Sequence, residues 1–241
     1  MRIALLFALL AATGIGRLAG AQGTVVPSSA QATPEVTHEG AIVGNAFSLI
    51  DEGPAGEVSV VATGRPDGPL IWVIARNNTD RPLVEVSVTA VARTADGRIF
   101  AVGDTSGAGL DPNEVPPGGV AYGEVYFDGV NLPTNVELEF EAGGKNRANA
   151  NYTVKDFAVT ASLIKDRVVG EVRNNRTDVP GGVRVAVMCL EDDGKPVYYQ
   201  STSLDPPDGA MSSGEVLPFQ VSVRSAPSCE FFLVVAQGFN Y

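Results

Sequence analysis

Arg76-Asn77-Asn78 recurs as Arg173-Asn174-Asn175, Val86 and Val88 recur as Val183 and Val185, and Asp96-Gly97-Arg98 recurs as Asp193-Gly194-Lys195, all at one offset of 97 positions and without a gap. A register shared over that whole window marks an internal duplication, so the chain reads as two copies of one small unit. Residues kept in both copies are most simply what the fold itself requires. The duplication therefore constrains architecture far more than chemistry.

The unit is a β structure. From Ile42 onward, short alternating or valine-rich runs are separated by Gly, Pro, Asn and Asp, and no long stretch has helical spacing of its apolar residues. This predicts an all-β chain with antiparallel sheets. Strands are predicted over 57–63, 70–76, 83–93, 99–103, 120–127 and 136–141 in the first copy. In the second they are predicted over 154–164, 168–173, 183–191, 196–203, 216–223 and 229–236. Six or seven strands in about ninety residues is the pattern of an immunoglobulin-like antiparallel β-sandwich. Two such domains in tandem are expected, over 42–145 and 152–241, with 143–151, rich in Gly, Asn and Ala, as the joint. In the strand over 182–190, Val183, Val185, Val187 and Cys189 fall on one face and Arg184 on the other. Val86, Val88, Ala90 and Ala92 form the equivalent inward face in the first copy, with Glu85 and Ser87 turned outward.

The start of the chain has a different character. Met1-Arg2, an apolar run to about residue 16, and small residues ending in Ala19-Gly20-Ala21 read as a cleaved secretory signal peptide over 1–21. The run is shorter than the roughly 18 residues needed to span a bilayer, and no second run follows, so no transmembrane segment is expected in the mature chain. Residues 22–41 hold Pro27, Ser28, Ser29, Thr33, Pro34 and Thr37 with few large apolar side chains, which predicts a flexible leader. The expected location is secreted, either extracellular or periplasmic. Loss of Arg2 and Arg17 with the signal peptide leaves fifteen basic against twenty-eight acidic side chains, a net charge near −13. Such a chain is repelled by nucleic acid and by anionic membranes.

The second copy resembles the FxLYD domain, a small sandwich module of exported bacterial and archaeal proteins. The resemblance lies in Val169-Gly170-Glu171-Val172-Arg173-Asn174, in Val187-Met188-Cys189-Leu190-Glu191-Asp192-Asp193-Gly194-Lys195, and in Pro218-Phe219-Gln220-Val221. Leu190 stands at the leucine and Asp192 at the aspartate of the naming motif, while Met188 replaces the phenylalanine and Glu191 the tyrosine. The first copy departs further, with Arg93-Thr94-Ala95 before Asp96-Gly97. The resemblance implies a sandwich fold and a non-catalytic role.

The residues available for chemistry agree with that expectation. The only histidine, His38, lies in the predicted leader, where no scaffold holds it against a nucleophile or a metal. No glycine-rich phosphate loop is present. Neither a catalytic residue, nor a cofactor, nor a metal ligand set is assigned. Cys189 and Cys229 are read first as a disulfide of an exported protein, the other reading being two buried thiols. Asn77, Asn151 and Asn175 fit the N-x-Ser/Thr glycan pattern, and Asn77-Asn78 and Asn174-Asn175 suit turns. Asp104, Asp111 and Glu114, with Glu191-Asp192-Asp193, Asp205 and Asp208, form acidic loop groups whose spacing matches no calcium loop. Trp72 is expected in the core, whereas Tyr198-Tyr199 must place one ring outside and offers a speculative ligand surface. The expected function is a non-catalytic interaction or structural module whose partner is an envelope or extracellular protein. The alternative is a carbohydrate-binding module, possibly calcium-assisted, that recognises a glycan.

Overall fold

The computed structural model describes residues 35–37, 42–105, 109–146, 152–153, 157–175 and 177–239, and residues 33–241 fall into one compact unit. Apart from a single 3-10 turn at Phe47–Leu49, the regular structure of the described residues is entirely strand. The first strands are β1 (Glu35–Thr37), β2 (Ile42–Gly44), β3 (Val58–Thr63), β4 (Leu70–Asn77), β5 (Leu83–Arg93), β6 (Ile99–Asp104), β7 (Glu114–Val115), β8 (Val120–Tyr126) and β9 (Glu137–Lys145). They are followed by β10 (Tyr152–Thr153), β11 (Phe157–Ile164), β12 (Arg167–Asn174), β13 (Val183–Leu190), β14 (Pro196–Leu204), β15 (Val216–Ser222) and β16 (Phe231–Phe239). All pairings between them are antiparallel. Among the described residues, no helix is long and apolar enough to cross a membrane.

The first copy is one sheet rolled into a sandwich. Strands β3, β4 and β8 make one layer and β6, β5 and β9 the other, and the single pair Asp104 with Tyr126 links them. The inward faces meet in a core of Ile71, Val73 and Ala75 from β4, Val86, Val88, Ala90 and Ala92 from β5, and Ala121 and Val125 from β8. The period of two in β5 places these side chains inside, as expected.

The second copy repeats the plan with separate sheets, β11-β12-β15 against β14-β13-β16. Its core holds Val183, Val185, Val187 and Cys189 on β13 facing Val168 and Val172 on β12. The repeated sequence positions do the same work in both copies. The amide of Asn77 donates to the carbonyls of Arg81 and Val115, each at 2.9 Å, and that of Asn174 donates to Thr177 at 2.7 Å and Met211 at 3.0 Å. Both asparagines are buried, and each pins the loop after its own strand to the segment entering β8 or β15. The Asp-Gly pairs close matching turns, with Gly97 at φ 81° and Gly194 at φ 82°, a region glycine enters without a Cβ penalty. A register shift falls at Ala92/Arg93 in β5 and at Cys189/Leu190 in β13, again 97 apart.

Four details differ from the sequence expectation. Residues 35–37 of the predicted leader form β1, which pairs with β2. Ile42–Gly44, predicted to open the first sandwich, instead pairs with β16 of the second, opposite Leu233, Val234 and Val235. A three-residue run leaves no periodicity to read, and its pairing spans the whole chain. β9 extends to Lys145, into the predicted joint, and Cys229 lies just before β16 rather than on it.

The two sandwiches pack face on face. The outer side of the β4-β8 layer presents Ile74, Val120 and Tyr122, and the outer side of β13-β16 presents Ala186, Met188, Leu190, Leu233 and Val235. Ile42, Ala46 and Ile50 of the connecting segment join the same buried cluster. Strand β13 is therefore covered on both faces, and its one charged side chain, Arg184, lies in a contact instead of in solvent.

Candidate functional site

Asp111 stands at the edge of this contact, contributed by the first sandwich just before β7. Its partners come from the second: Gln237 Nε2 donates to Oδ1 at 2.9 Å, while Arg184 approaches Oδ2 at 3.2 Å and the Tyr199 hydroxyl donates to the same oxygen. Arg184 also donates to the Tyr199 hydroxyl at 2.8 Å, Gln237 Oε1 accepts from the backbone N–H of Asn113 at 2.8 Å, and the Tyr122 hydroxyl donates to the Ala186 carbonyl at 3.0 Å. Asp111 is only 5% exposed. Burial raises its pKa, against the opposing pull of Arg184, Tyr199 and Gln237. Burial likewise raises the pKa of Glu124, with Arg184 opposing. For Arg184 burial disfavours the charge, yet Asp111, Tyr199 and Glu124 together keep its pKa above the usual value. A carboxylate engaged by three partners in a nearly closed contact fastens the two halves and has little freedom to take a proton from a substrate.

The residues singled out in the sequence fall as follows. Cys189 and Cys229 are joined in a disulfide, Cα to Cα 4.9 Å, with Cys189 in the second core. Tyr198 and Tyr199 do not make a shared platform. Tyr199 turns into the contact between the sandwiches, edge-on to Tyr122 at 6.4 Å, and Tyr198 meets Trp72 of the first sandwich at 6.5 Å. Trp72 is half-buried at this junction rather than in a core. The acidic loop groups do not converge: among the described residues no set of three His, Cys, Asp or Glu side chains could hold a metal ion. Asn77 is buried with its amide committed, so it is not an accessible glycan acceptor. His38 and Asn151 lie outside the described residues.

Two depressions are built where the sandwiches meet. Trp72 and Tyr198 line a cleft of about 360 Å³ together with Arg65, Asp67, Glu191 and Lys195. A larger groove of about 770 Å³ runs along the whole of β3, bounded by Phe140, Glu141 and Ala142 of β9 and by the turn at Asp193, Gly194 and Lys195 of the second sandwich. Among the described residues, β3 pairs only with β4 and β9 only with β5, so each bank of the groove is a strand with one open edge. Asp51, Glu57, Glu141 and Asp193 line it against the single Lys195, whose amine is bound to Asp193.

No family model and no curated protein matches the chain. Nineteen chains of solved structure match, among them a β-glucuronidase from glycoside hydrolase family 2, with a TM-score of 0.19 and 11% identity. That alignment covers 82% of this chain and 23% of the glucuronidase, so the chain spans less than a quarter of that protein's length.

Proposed function

We propose that the protein is a non-catalytic, exported interaction module of the FxLYD kind, acting in the cell envelope or outside the cell. The observation that supports this reading is the groove along β3, whose walls come from both sandwiches and whose banks are open strand edges. Open edges are docking templates for extended chains, and a fixed contact between two sandwiches holds such a template in one shape. The disulfide favours an oxidising compartment, which fits export. The test is a crosslinking pull-down from the envelope and secreted fractions of the host, using residues 22–241. One saturable protein partner is the expected result, and recovery of none in any fraction overturns the reading.

A second reading, glycan binding, is favoured by the Trp72–Tyr198 cleft, where two aromatic rings stand beside carboxylates and basic side chains. Aromatic faces stack on sugar rings, and the charged groups supply hydrogen bonds. Trp72 is the only tryptophan, so titration with envelope polysaccharides followed by its fluorescence reads this site alone. A flat titration with and without calcium ends this alternative.

A further inference from the structure

We infer, as a specific form of the interaction reading on which it rests, that the open edge of β9 receives an extended strand from another protein, and that this strand carries an apolar side chain between two basic ones. The second sandwich holds the precedent. There β2 pairs antiparallel with β16, with Ile42 opposite Val235, Val43 opposite Val234 and Gly44 opposite Leu233. The equivalent positions in the first sandwich follow from the pairing registers. Ala186 and Met188 on β13 face Val235 and Leu233, and their counterparts 97 positions earlier, Thr89 and Val91 on β5, face Glu141 and Glu139. Glu141, Phe140 and Glu139 therefore stand where Val235, Val234 and Leu233 accept β2. Among the described residues no strand occupies that edge, and the groove opens beside it.

The same registers dictate the side chains of the guest. Directly opposed residues of an antiparallel pair point to one face. In the second sandwich Val43 accordingly enters the core with Val234, while Ile42 joins Val235 in the contact between the sandwiches. In the first, a guest residue opposite Phe140 points toward the core beside Val60, where an apolar side chain fits. Its two neighbours lie opposite Glu139 and Glu141 on the outer face. Glu139 already shares Arg93 at 3.0 Å, and Glu141, Asp51 and Glu57 add negative charge around the groove. Basic side chains at those two positions meet this field, whereas acidic ones are repelled. No Lys-x-Lys, Lys-x-Arg, Arg-x-Lys or Arg-x-Arg triplet with an apolar middle residue occurs anywhere in the chain, so the guest is a different protein rather than a second copy.

The experiment uses the whole exported chain and two labelled nine-residue peptides, one alternating lysine with valine and one alternating glutamate with valine, read by fluorescence anisotropy and by amide hydrogen exchange. The lysine peptide should bind saturably and slow exchange on β9, and the glutamate peptide should not bind. Glu139→Lys combined with Glu141→Lys should weaken the lysine peptide by about tenfold or more and admit the glutamate peptide. Equal affinity for the two peptides, no saturable binding below about 1 mM, or protection confined to other strands overturns the inference. Exchange on the unmutated chain decides the matter even if the charge-reversed variant fails to fold. If the crosslinked partner is captured equally by the unmutated and charge-reversed chains, the interaction reading stands and the β9 site falls.

Discussion

Met188→Ala tests the face-to-face packing directly. In β13 the odd positions Val183, Val185 and Val187 face the second core, so the period of two turns Met188 to the opposite side. In an isolated second sandwich that side chain would be solvent-exposed, and its truncation would change stability by no more than about 0.5 kcal/mol. In the packed molecule it is fully buried in the cluster with Ile74, Tyr122, Leu190 and Leu233. Truncating a buried Met to Ala costs about 2–5 kcal/mol through lost transfer energy and the cavity left behind. With an m-value of about 3 kcal/mol/M, a loss near 3 kcal/mol lowers the urea midpoint by about 1 M. The assay is urea unfolding followed in parallel by Trp72 fluorescence, which senses the junction from the first sandwich, and by far-ultraviolet circular dichroism. Both probes should shift together, because the damage lies in the surface that couples the halves. A shift below about 0.5 kcal/mol would refute the packing, and so would a dichroism shift that leaves the Trp72 transition unmoved.

Asn77→Ala and Asn174→Ala should each destabilise by about 1–3 kcal/mol, since each removes a buried side-chain amide that donates to two loop carbonyls; near-neutral midpoints in urea would show that the repeated asparagine does not pin the loops. Reducing the Cys189–Cys229 bond, which spans 40 positions, should remove roughly 4 kcal/mol in the chain-entropy model, and an unchanged melt would contradict that. Asp111 binds its proton more tightly folded than unfolded, so its contribution is present below the unfolded value of about 3.9 and is lost as pH rises through the raised folded value. The stability of the natural chain relative to Asp111→Asn should therefore be greater at low pH than at neutral pH, and a difference independent of pH would sink the assignment.

The strands were legible because a half-buried strand writes a period of two into its sequence, and the turn at Asp-Gly writes its own signal. Cys189 and Cys229 were legible because only two cysteines exist and alternation put one of them inside. The contact between the sandwiches left a weaker trace. In β13 both faces are apolar apart from Arg184, the mark of a strand buried on two sides, yet the alternating valines alone account for a single core. Asp111 looked like one more loop carboxylate, since its partners Arg184, Tyr199 and Gln237 lie 73 to 126 positions away. Alternation puts Tyr198 and Tyr199 on opposite faces of β14, yet neither ring is exposed: Tyr198 packs against the second core and meets Trp72, and Tyr199 meets Tyr122, neighbours from the other sandwich that local sequence does not show.

The layers run in the order β6-β5-β9, β3-β4-β8, β14-β13-β16, β11-β12-β15, so the second sandwich follows the first head to tail. A contact of this heterologous kind does not close on itself, and a third copy could in principle stack on either end. The chemistry of the two free faces argues against that. Phe231, Leu233 and Val235 of β16 press against or into the junction, and the equivalent positions of β9 hold Glu137, Glu139 and Glu141. At the opposite end, Leu70, Trp72 and Ile74 of β4 are replaced on β12 by Arg167, Val169 and Glu171. Repeat proteins need polar outer faces on their terminal units, and here β9 and β12 carry that polarity on the sides the other copy does not cover, while Ile99, Phe100 and Val102 of β6 stay exposed beside them. The glutamates of β9 thereby serve two physical ends: their desolvation cost stops further stacking, and their field selects which strand can join the edge they leave open.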